Sequence, residues 1–255
     1  MKIESIGEVL ARVDALGLGS TAVAAFDCDG TLWSGDVGED LFEVQVAGEL
    51  FRSEAHAAMR DEAVRHAIDP SGSASELARR LHTLESQGSF PQERLYELMA
   101  FACAGQSRDE VDALMHEVVE HGGVLGRVNP ETLELLEELM VRGLSLVAVS
   151  ASTLPLIERA LRKLGLEADA ICAATPRWSG DVMQADVERP IPYGPGKVHA
   201  LRRTVGGHPL AVALGDNTFD VDMLACAAVP LAVRPKDGLV AAASRVDGIV
   251  ELARK

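Results

Sequence analysis

The sequence predicts an α/β fold, a mostly parallel sheet with helices on both faces that carries an inserted helical domain. Three observations predict it. Short, continuously apolar runs recur at TAVAAFD (21–27), LSLVAVS (144–150), ADAICAA (168–174), PLAVALG (209–215) and VPLAVRP (229–235). Runs that do not alternate with polar residues mark strands buried on both faces, as in a parallel sheet. Helical patterns separate several of these runs, which implies right-handed crossovers. Between about residues 36 and 125, however, helix follows helix with no strand-like run.

The elements follow in order. IESIGEVLARVDALGLG has apolar residues at helical spacing and ends in glycines, so it reads as a leading helix before the first strand. The inserted helices are EDLFEVQVAGELF, EAHAAMRDEAVRHAI, SELARRLHTLESQG, QERLYELMAFACAG and SRDEVDALMHEVVEHGG. SASE and SRDE resemble helix N-terminal caps with an acidic residue following. PETLELLEELMVRG, with proline in its first turn and glycine at its end, LPLIERALRKLGL and GKVHALRRTVGG supply the later helices. In RWSGDVMQADVERPIPYGPGK (177–197), an S-G-D turn between alternating segments predicts a β-hairpin leading to the next helix. The expected division is a core of 1–34 and 126–255 with a helical cap of 35–125.

Composition excludes several function classes. With 24 basic and 39 acidic residues the formal charge is −15, the wrong sign for a nucleic-acid partner. No apolar run reaches the roughly 18 residues of a membrane span. The acidic residues of MKIESIGEVLARVD replace the apolar region a secretory signal needs, so a cytoplasmic protein is expected. The cysteines at 28, 103, 172 and 226 form no C-x-x-C pair and read as free thiols, and His116 and His121 are not spaced as zinc ligands.

FDCDGT places Asp27 and Asp29 just past the first buried strand, at the sheet edge where open α/β folds bind ligands. One carboxylate of such a pair can attack phosphorus or ligate Mg²⁺ while the other moves a proton to the leaving group. Alone, the same residues make an ordinary acidic turn. A phosphoryl-transfer site also needs a hydroxyl for the phosphate, a cation for its charge and further acid for a metal. Ser150 ends LSLVAVS, Lys197 follows YGPG and opens a helix, and Asp216 and Asp220 follow PLAVALG. Singly these serve as a helix cap, a solvated charge or a turn former; in one topology they point to one site.

FDCDGT, the Ser150 of VAVSAS, the Lys197 of GPGK and GDNTFD together resemble the four motifs of the haloacid dehalogenase-like hydrolases. The helical insert, GDVGEDLF and the hairpin before Lys197 resemble the phosphoserine-phosphatase-like branch with its helical C1-type cap. That branch includes phosphocholine and phosphoethanolamine phosphatases. The resemblance implies a Rossmann-like core and a Mg²⁺-dependent phosphatase acting on a small phosphomonoester. It makes Asp27 the nucleophile that forms an aspartyl-phosphate and gives one oxygen to Mg²⁺. Asp29 becomes the acid–base group, its backbone carbonyl a second metal ligand. Ser150 and Lys197 meet the phosphoryl group, Asp216 is the third metal ligand, and Asp220 orients Lys197 or a water at the metal. Asn217 and Ser152 stand behind them. An acid two residues after the nucleophile favours phosphate esters over the dehalogenation that names the family, and phosphomutases usually resemble a different cap branch.

The substrate side is less determined. Asp36, where the phosphoserine-phosphatase pattern places a substrate-facing acid, or Glu39 could meet an amino group, and Trp33 with Phe42 could wall a cation pocket. Arg52, Arg60 and Arg65 are the candidates to fork a carboxylate. Phe219 stands where phosphoserine phosphatases usually carry asparagine. The expected substrate is phosphoserine-like or another amine-bearing ester, with phosphocholine or phosphoethanolamine as the alternative. A non-catalytic regulatory protein on the same fold is the alternative from another class, opposed by the intact Asp29 and by an insert that a receiver domain does not need. A nicotinamide enzyme lacks its G-x-G-x-x-G here. The cap is expected to close over the site and exclude water.

Overall fold

The computed structural model describes residues 1–18 and 21–255. Among the described residues nine strands form: β1 (Lys2–Glu4), β2 (Val23–Asp27), β3 (Ser145–Thr153), β4 (Ala170–Ala174), β5 (Pro176–Ser179), β6 (Val182–Val187), β7 (Leu210–Gly215), β8 (Val229–Ala232) and β9 (Val250–Leu252). Seven make one sheet in the order β1–β9–β8–β7–β2–β3–β4, each neighbour parallel to the next. β5 and β6 form the antiparallel hairpin, turning at Gly180 and Asp181. All five apolar runs become strands of the parallel sheet. β1 and β9 were not expected: three residues each is too short for a pattern, and each is fixed by pairing with the other at the sheet edge. The leading helix therefore starts later than predicted, after Ser5 closes a capping box with Glu8. Gly19, the last residue of that predicted helix, lies outside the described residues.

The helices are α1 (Ile6–Ala15), α2 (Val37–Ala47), α3 (Ser53–Arg65), α4 (Ala74–Ser86), α5 (Gln92–Ala100), α6 (Arg108–His121), α7 (Pro130–Val141), α8 (Leu154–Leu164), α9 (Pro195–Val205), α10 (Val221–Leu224) and α11 (Asp237–Ala242). Five of them, α2 to α6, occupy the insert between β2 and α7. Both predicted caps are capping boxes, Ser73 with Glu76 on α4 and Ser107 with Glu110 on α6. In α7 the apolar positions Leu135, Leu136 and Leu139 are fully buried. Truncating any one to alanine costs about 2–5 kcal/mol by cavity formation. Among the described residues no helix is long and apolar enough to cross a membrane. The four cysteines are free thiols, Cys226 alone exposed.

β2 sits mid-sheet, with all five residues buried. The chain runs from it to β3 and β4 on one side and to β7, β8 and β9 on the other. That reversal makes its carboxyl end the topological switch point, where the diverging connections leave a crevice.

The insert joins the core at several places, two of them built from backbone hydrogen bonds. The chain enters and leaves through a narrow neck, where the Ser34 N–H donates to the Arg127 carbonyl (2.8 Å) and the Asn129 N–H to the Leu32 carbonyl (2.9 Å). Beyond the neck, the segment before α6 pairs with the hairpin, through Gly105 N to Met183 O (2.9 Å), Met183 N to Gln106 O (3.0 Å) and Arg108 N to Asp181 O (3.1 Å). Within the insert, Glu62 is buried and accepts two bonds from Arg94, at 2.7 and 2.9 Å. Arg94 also pairs with Glu97, which takes Arg189 from the end of the hairpin at 3.0 Å.

Candidate active site

Asp27 is the last residue of β2, and the loop after it folds back tightly, with the Leu32 N–H on the Cys28 carbonyl (2.8 Å) and the Gly30 N–H on the Trp33 carbonyl (2.8 Å). Gly30 has φ +85°, and a Cβ there would lie 2.2 Å from Asp216 Oδ2. Only glycine allows both the backbone geometry and this approach of the Asp216 carboxylate. The next carbonyl, of Thr31, accepts from Asn129 Nδ2 (2.8 Å) and Thr132 Oγ1 (3.0 Å), both fully buried, so the start of α7 braces the loop.

Lys197 lies in the first turn of α9 and is buried. Its Nζ donates to Asp27 Oδ1 at 2.6 Å and to Asp220 Oδ1 at 2.5 Å. Asp220 Oδ2 accepts the backbone N–H groups of Asp216 (3.0 Å) and Asn217 (2.9 Å), so both oxygens of Asp220 are engaged in holding Lys197 and the β7 loop. Asp216, buried at the end of β7, accepts from Lys236 Nζ at 2.8 Å and from Thr31 Oγ1 at 3.5 Å. Carboxylate oxygens of Asp27, Asp216 and Asp220 all lie within 4.8 Å of one another. An all-oxygen carboxylate set suits a hard divalent cation such as Mg²⁺. Because Asp220 is committed, Asp27 and Asp216 are the side chains with oxygen to give a metal.

The Asp29 carboxylate is turned elsewhere. Oδ1 accepts from Trp33 Nε1 (2.7 Å) and the Val37 N–H (2.8 Å), and Oδ2 from Ser152 Oγ (2.8 Å). Ser152 reaches it because β3 bulges: Ser150 pairs with Ala173 but Thr153 with Ala174, which displaces residues 151 and 152. β3 thus runs past Ser150 rather than ending there. The buried Ser150 hydroxyl accepts the Ser152 N–H at 3.0 Å and faces the same cleft.

Burial sets the electrostatics. It pushes the Asp27 carboxyl well above its ordinary range, against the pull of Lys197. Asp29 is also raised by burial, with its three hydrogen bonds opposing. Asp216 rises for the same reason, opposed by Lys236. Lys197 is raised: burial alone would lower it, but Asp220 and Asp27 outweigh burial and keep it charged. Asp36 is pushed up to about 8, first by burial and then by Asp29.

Asp27, Asp29, Ser150, Lys197, Asp216 and Asp220 all line one cleft, and Asp36 joins them from the insert. Asp36 caps α2, accepting the Glu39 N–H at 3.1 Å. Several substrate-side expectations are corrected. Trp33 is fully buried with its indole N–H spent on Asp29, and Phe42 stacks on His82 with ring centroids 4.8 Å apart, so neither walls the cleft. Glu39 is taken by His82 at 2.9 Å. Arg52, Arg60 and Arg65 are exposed, Arg52 pairing with Glu110 and Arg65 with Glu62. The aromatic wall comes instead from Tyr96, Tyr193 and Phe219. Tyr193 and Lys236 could have been found by position, four residues before Lys197 and just past β8. Tyr96, one apolar position of an amphipathic helix among many, gave no signal.

No curated protein matches the chain by sequence. Solved structures match its fold. A protein of unknown function from Bordetella pertussis Tohama I superposes with a TM-score of 0.70 at 20% identity, over 91% of this chain and 98% of that one. A substrate-bound phosphoserine phosphatase gives 0.56 at 16%, over 90% and 92%. Cytosolic 5′-nucleotidase IIIB bound to cytidine gives 0.57 at 13%, over 95% and 83%. Coverage this high takes in most of the helical insert as well as the sheet. The family model of haloacid dehalogenase-like hydrolases matches residues 24–225, from within β2 to the end of α10. The chain belongs to the haloacid dehalogenase-like hydrolase family.

Proposed function

We propose that the protein is a Mg²⁺-dependent phosphatase that hydrolyses a small, amine-bearing phosphomonoester through an aspartyl-phosphate on Asp27. The observation that carries this reading is the convergence of Asp27, Asp29, Ser150, Lys197 and Asp216 on one cleft from the ends of β2 and β7, from within β3 and from the start of α9. The phosphatases among its structural neighbours support the reading.

In this mechanism Asp27 Oδ attacks phosphorus, the ester P–O bond breaks, and Asp29 delivers its proton to the departing alcohol oxygen. Burial, which raises Asp29, favours the protonated form this step needs. Asp29 then takes a proton from the water that cleaves the Asp27 acyl-phosphate, releasing phosphate and restoring Asp27. Lys197, held by Asp220, balances the charge of the transferring group, and Ser150 donates its hydroxyl to it. Asp27 and Asp216, with the Asp29 carbonyl, would hold Mg²⁺, which when bound neutralises the phosphate dianion against the aspartates. Residues 35–125 act as the cap, contributing Asp36 and Tyr96 to the cleft and closing it to water.

The phosphocholine or phosphoethanolamine reading gains on phosphoserine because no arginine lines the cleft among the described residues, leaving a substrate carboxylate without a forked partner. Hydrolysis of p-nitrophenyl phosphate with Mg²⁺ and with EDTA tests the function. Release in Mg²⁺ that stops on chelation is expected. No metal-dependent release would return the protein to the alternative of a non-catalytic regulator.

A further inference from the structure

A second cleft opens between the insert and the core and shares no lining residue with the one around Asp27. Its walls are the start of α6 from the insert, α8 from Leu154 to Arg162, and the start of the hairpin from Thr175 to Trp178. Its volume is about 360 Å³, within the ~300–1,000 Å³ of small-molecule sites.

The charge of this cleft departs from that of the chain. Arg108, Arg159 and Arg162 line it against Asp112 and Glu158, a surplus of one positive charge in a protein that carries −15 overall. Among the described residues only Arg159 of the three arginines is in an ion pair, giving Nη2 to Asp112 at 2.9 Å. Its Nε is buried with no hydrogen-bond partner among those residues. An unpaired buried donor is costly, and an acceptor oxygen brought to that guanidinium is the partner it lacks. Two helices also begin here, α6 at Arg108 and α8 at Leu154, and Thr153 gives α8 no side-chain cap. The positive ends of both helix dipoles therefore add to the arginines.

Beside the charge stands a flat surface. The Arg108 guanidinium lies over the half-buried Trp178 ring, 4.1 Å from its centroid. Aromatic rings and guanidinium planes are the two surfaces on which nucleobases stack. Leu154, Pro155 and Pro176 add apolar wall. A single nucleotide meets the local positive surplus, whereas a polynucleotide would meet the negative charge of the whole chain.

We propose that this cleft binds a nucleoside phosphate, its base on the Arg108–Trp178 pair and its phosphate at Arg159 and Arg162, as an effector that ties insert to core. The binding does not depend on the phosphatase reading; the effect on turnover rests on it. A ligand held by Arg108 of α6 and by two arginines of α8 gains those contacts together only while the insert is docked, so it favours that state. The elements it braces adjoin the candidate active site. α8 follows directly on β3, where Ser152 holds Asp29 at 2.8 Å and the Thr153 hydroxyl donates to the Ala100 carbonyl of the insert at 2.9 Å. Release of product needs the insert to part from the core, so the bound nucleotide slows turnover.

AMP, GMP, CMP and UMP are titrated into full-length Asp27→Asn, in which the proposed nucleophile cannot consume them. For at least one of the four, calorimetry is expected to show a site that Ser150→Ala leaves intact and that Trp178→Ala and Arg162→Ala each weaken about 10-fold. Tryptophan fluorescence should report the same site, since Trp33 and Trp178 are the chain's two tryptophans and Trp33 is fully buried. The matching nucleoside and ribose 5-phosphate, each carrying half of the recognition, should bind at least about 10-fold more weakly. In the wild type, the nucleotide should lower kcat at saturating p-nitrophenyl phosphate several-fold, which competition at Asp27 cannot do. Arg162→Ala should remove that inhibition and keep the basal rate. Binding by none of the four overturns the site, as does binding lost in Ser150→Ala but kept in Trp178→Ala and Arg162→Ala. Inhibition that is purely competitive, or that persists in Arg162→Ala, overturns the effector role. Binding with the expected variant pattern but no hydrolysis of p-nitrophenyl phosphate sinks the phosphatase reading and keeps the site.

Discussion

On the core side of the cleft the charges are already partnered: Lys197 bridges Asp27 and Asp220, Asp220 takes two backbone N–H groups, and Asp216 takes Lys236. On the opposite side Asp36 and Tyr96 of the insert face Tyr193 and Phe219 of the core, and among the described residues Asp36 meets only backbone N–H groups. The first arrangement is preorganised, ready to act on a phosphate wherever one is bound. The second is completed only by a ligand. If the first carries the proposed chemistry and the second the choice of substrate, variants on the two sides should fail differently.

The largest effect is expected from the core. Asp27→Asn removes the proposed nucleophile and should lower kcat by at least about 10³-fold on every ester alike, measured in steady state. A loss confined to one substrate would break the comparison. Asp29→Asn should slow both formation and hydrolysis of the acyl-phosphate by about 10²–10⁴-fold, visible as an altered burst in rapid-quench experiments. Unimpaired turnover would remove its acid–base role.

The insert's own framework gives a different signature. Glu62→Gln, away from the cleft, should cost roughly 3 kcal/mol of stability in urea titration by removing one of the two buried carboxylates that hold Arg94, with kcat per folded molecule unchanged. Glu62 has its pKa lowered from 4.5 to about 2, chiefly by the Arg94 hydrogen bonds. A depressed carboxylate stabilises fully above its unfolded pKa, and that contribution fades as pH falls from about 4.5 towards 2. The acid limb of the stability curve over that window should therefore flatten in the variant. Smallest is Lys236→Ala. Lys236 is half-exposed and competes with a cation for Asp216, so its removal should tighten Mg²⁺ binding by a few-fold in a Mg²⁺-dependent thermal shift. Weaker binding would mean that Lys236 helps hold the metal site.

The same contrast explains what could be read from the sequence. The core-side residues follow buried strands within a residue or a few, so apolar runs such as TAVAAFD and PLAVALG locate them, and parallel pairing brings their ends to one edge. The helical insert was legible from periodicity and from capping pairs such as Ser73 with Glu76. The aromatic wall was not, because its members lie 97 and 26 residues apart in sequence and meet only through the packing of α5 on the loop before α9. Trp33 and Phe42 were closer to the motif, but a fully buried indole and a ring stacked on His82 have no face left for a ligand. β1 and β9 were invisible for a related reason: three-residue strands are defined by their partner and carry no period of their own.

The neck at Ser34 and Arg127 has one more consequence. Because the chain departs and returns through hydrogen-bonded neighbours, closing the loop between them costs little more as the insert grows longer. The junction behaves as a socket. A foreign helical module spliced between those two residues would have to replace the Val37 N–H that holds Asp29 Oδ1 and the Ala100 carbonyl that takes the Thr153 hydroxyl.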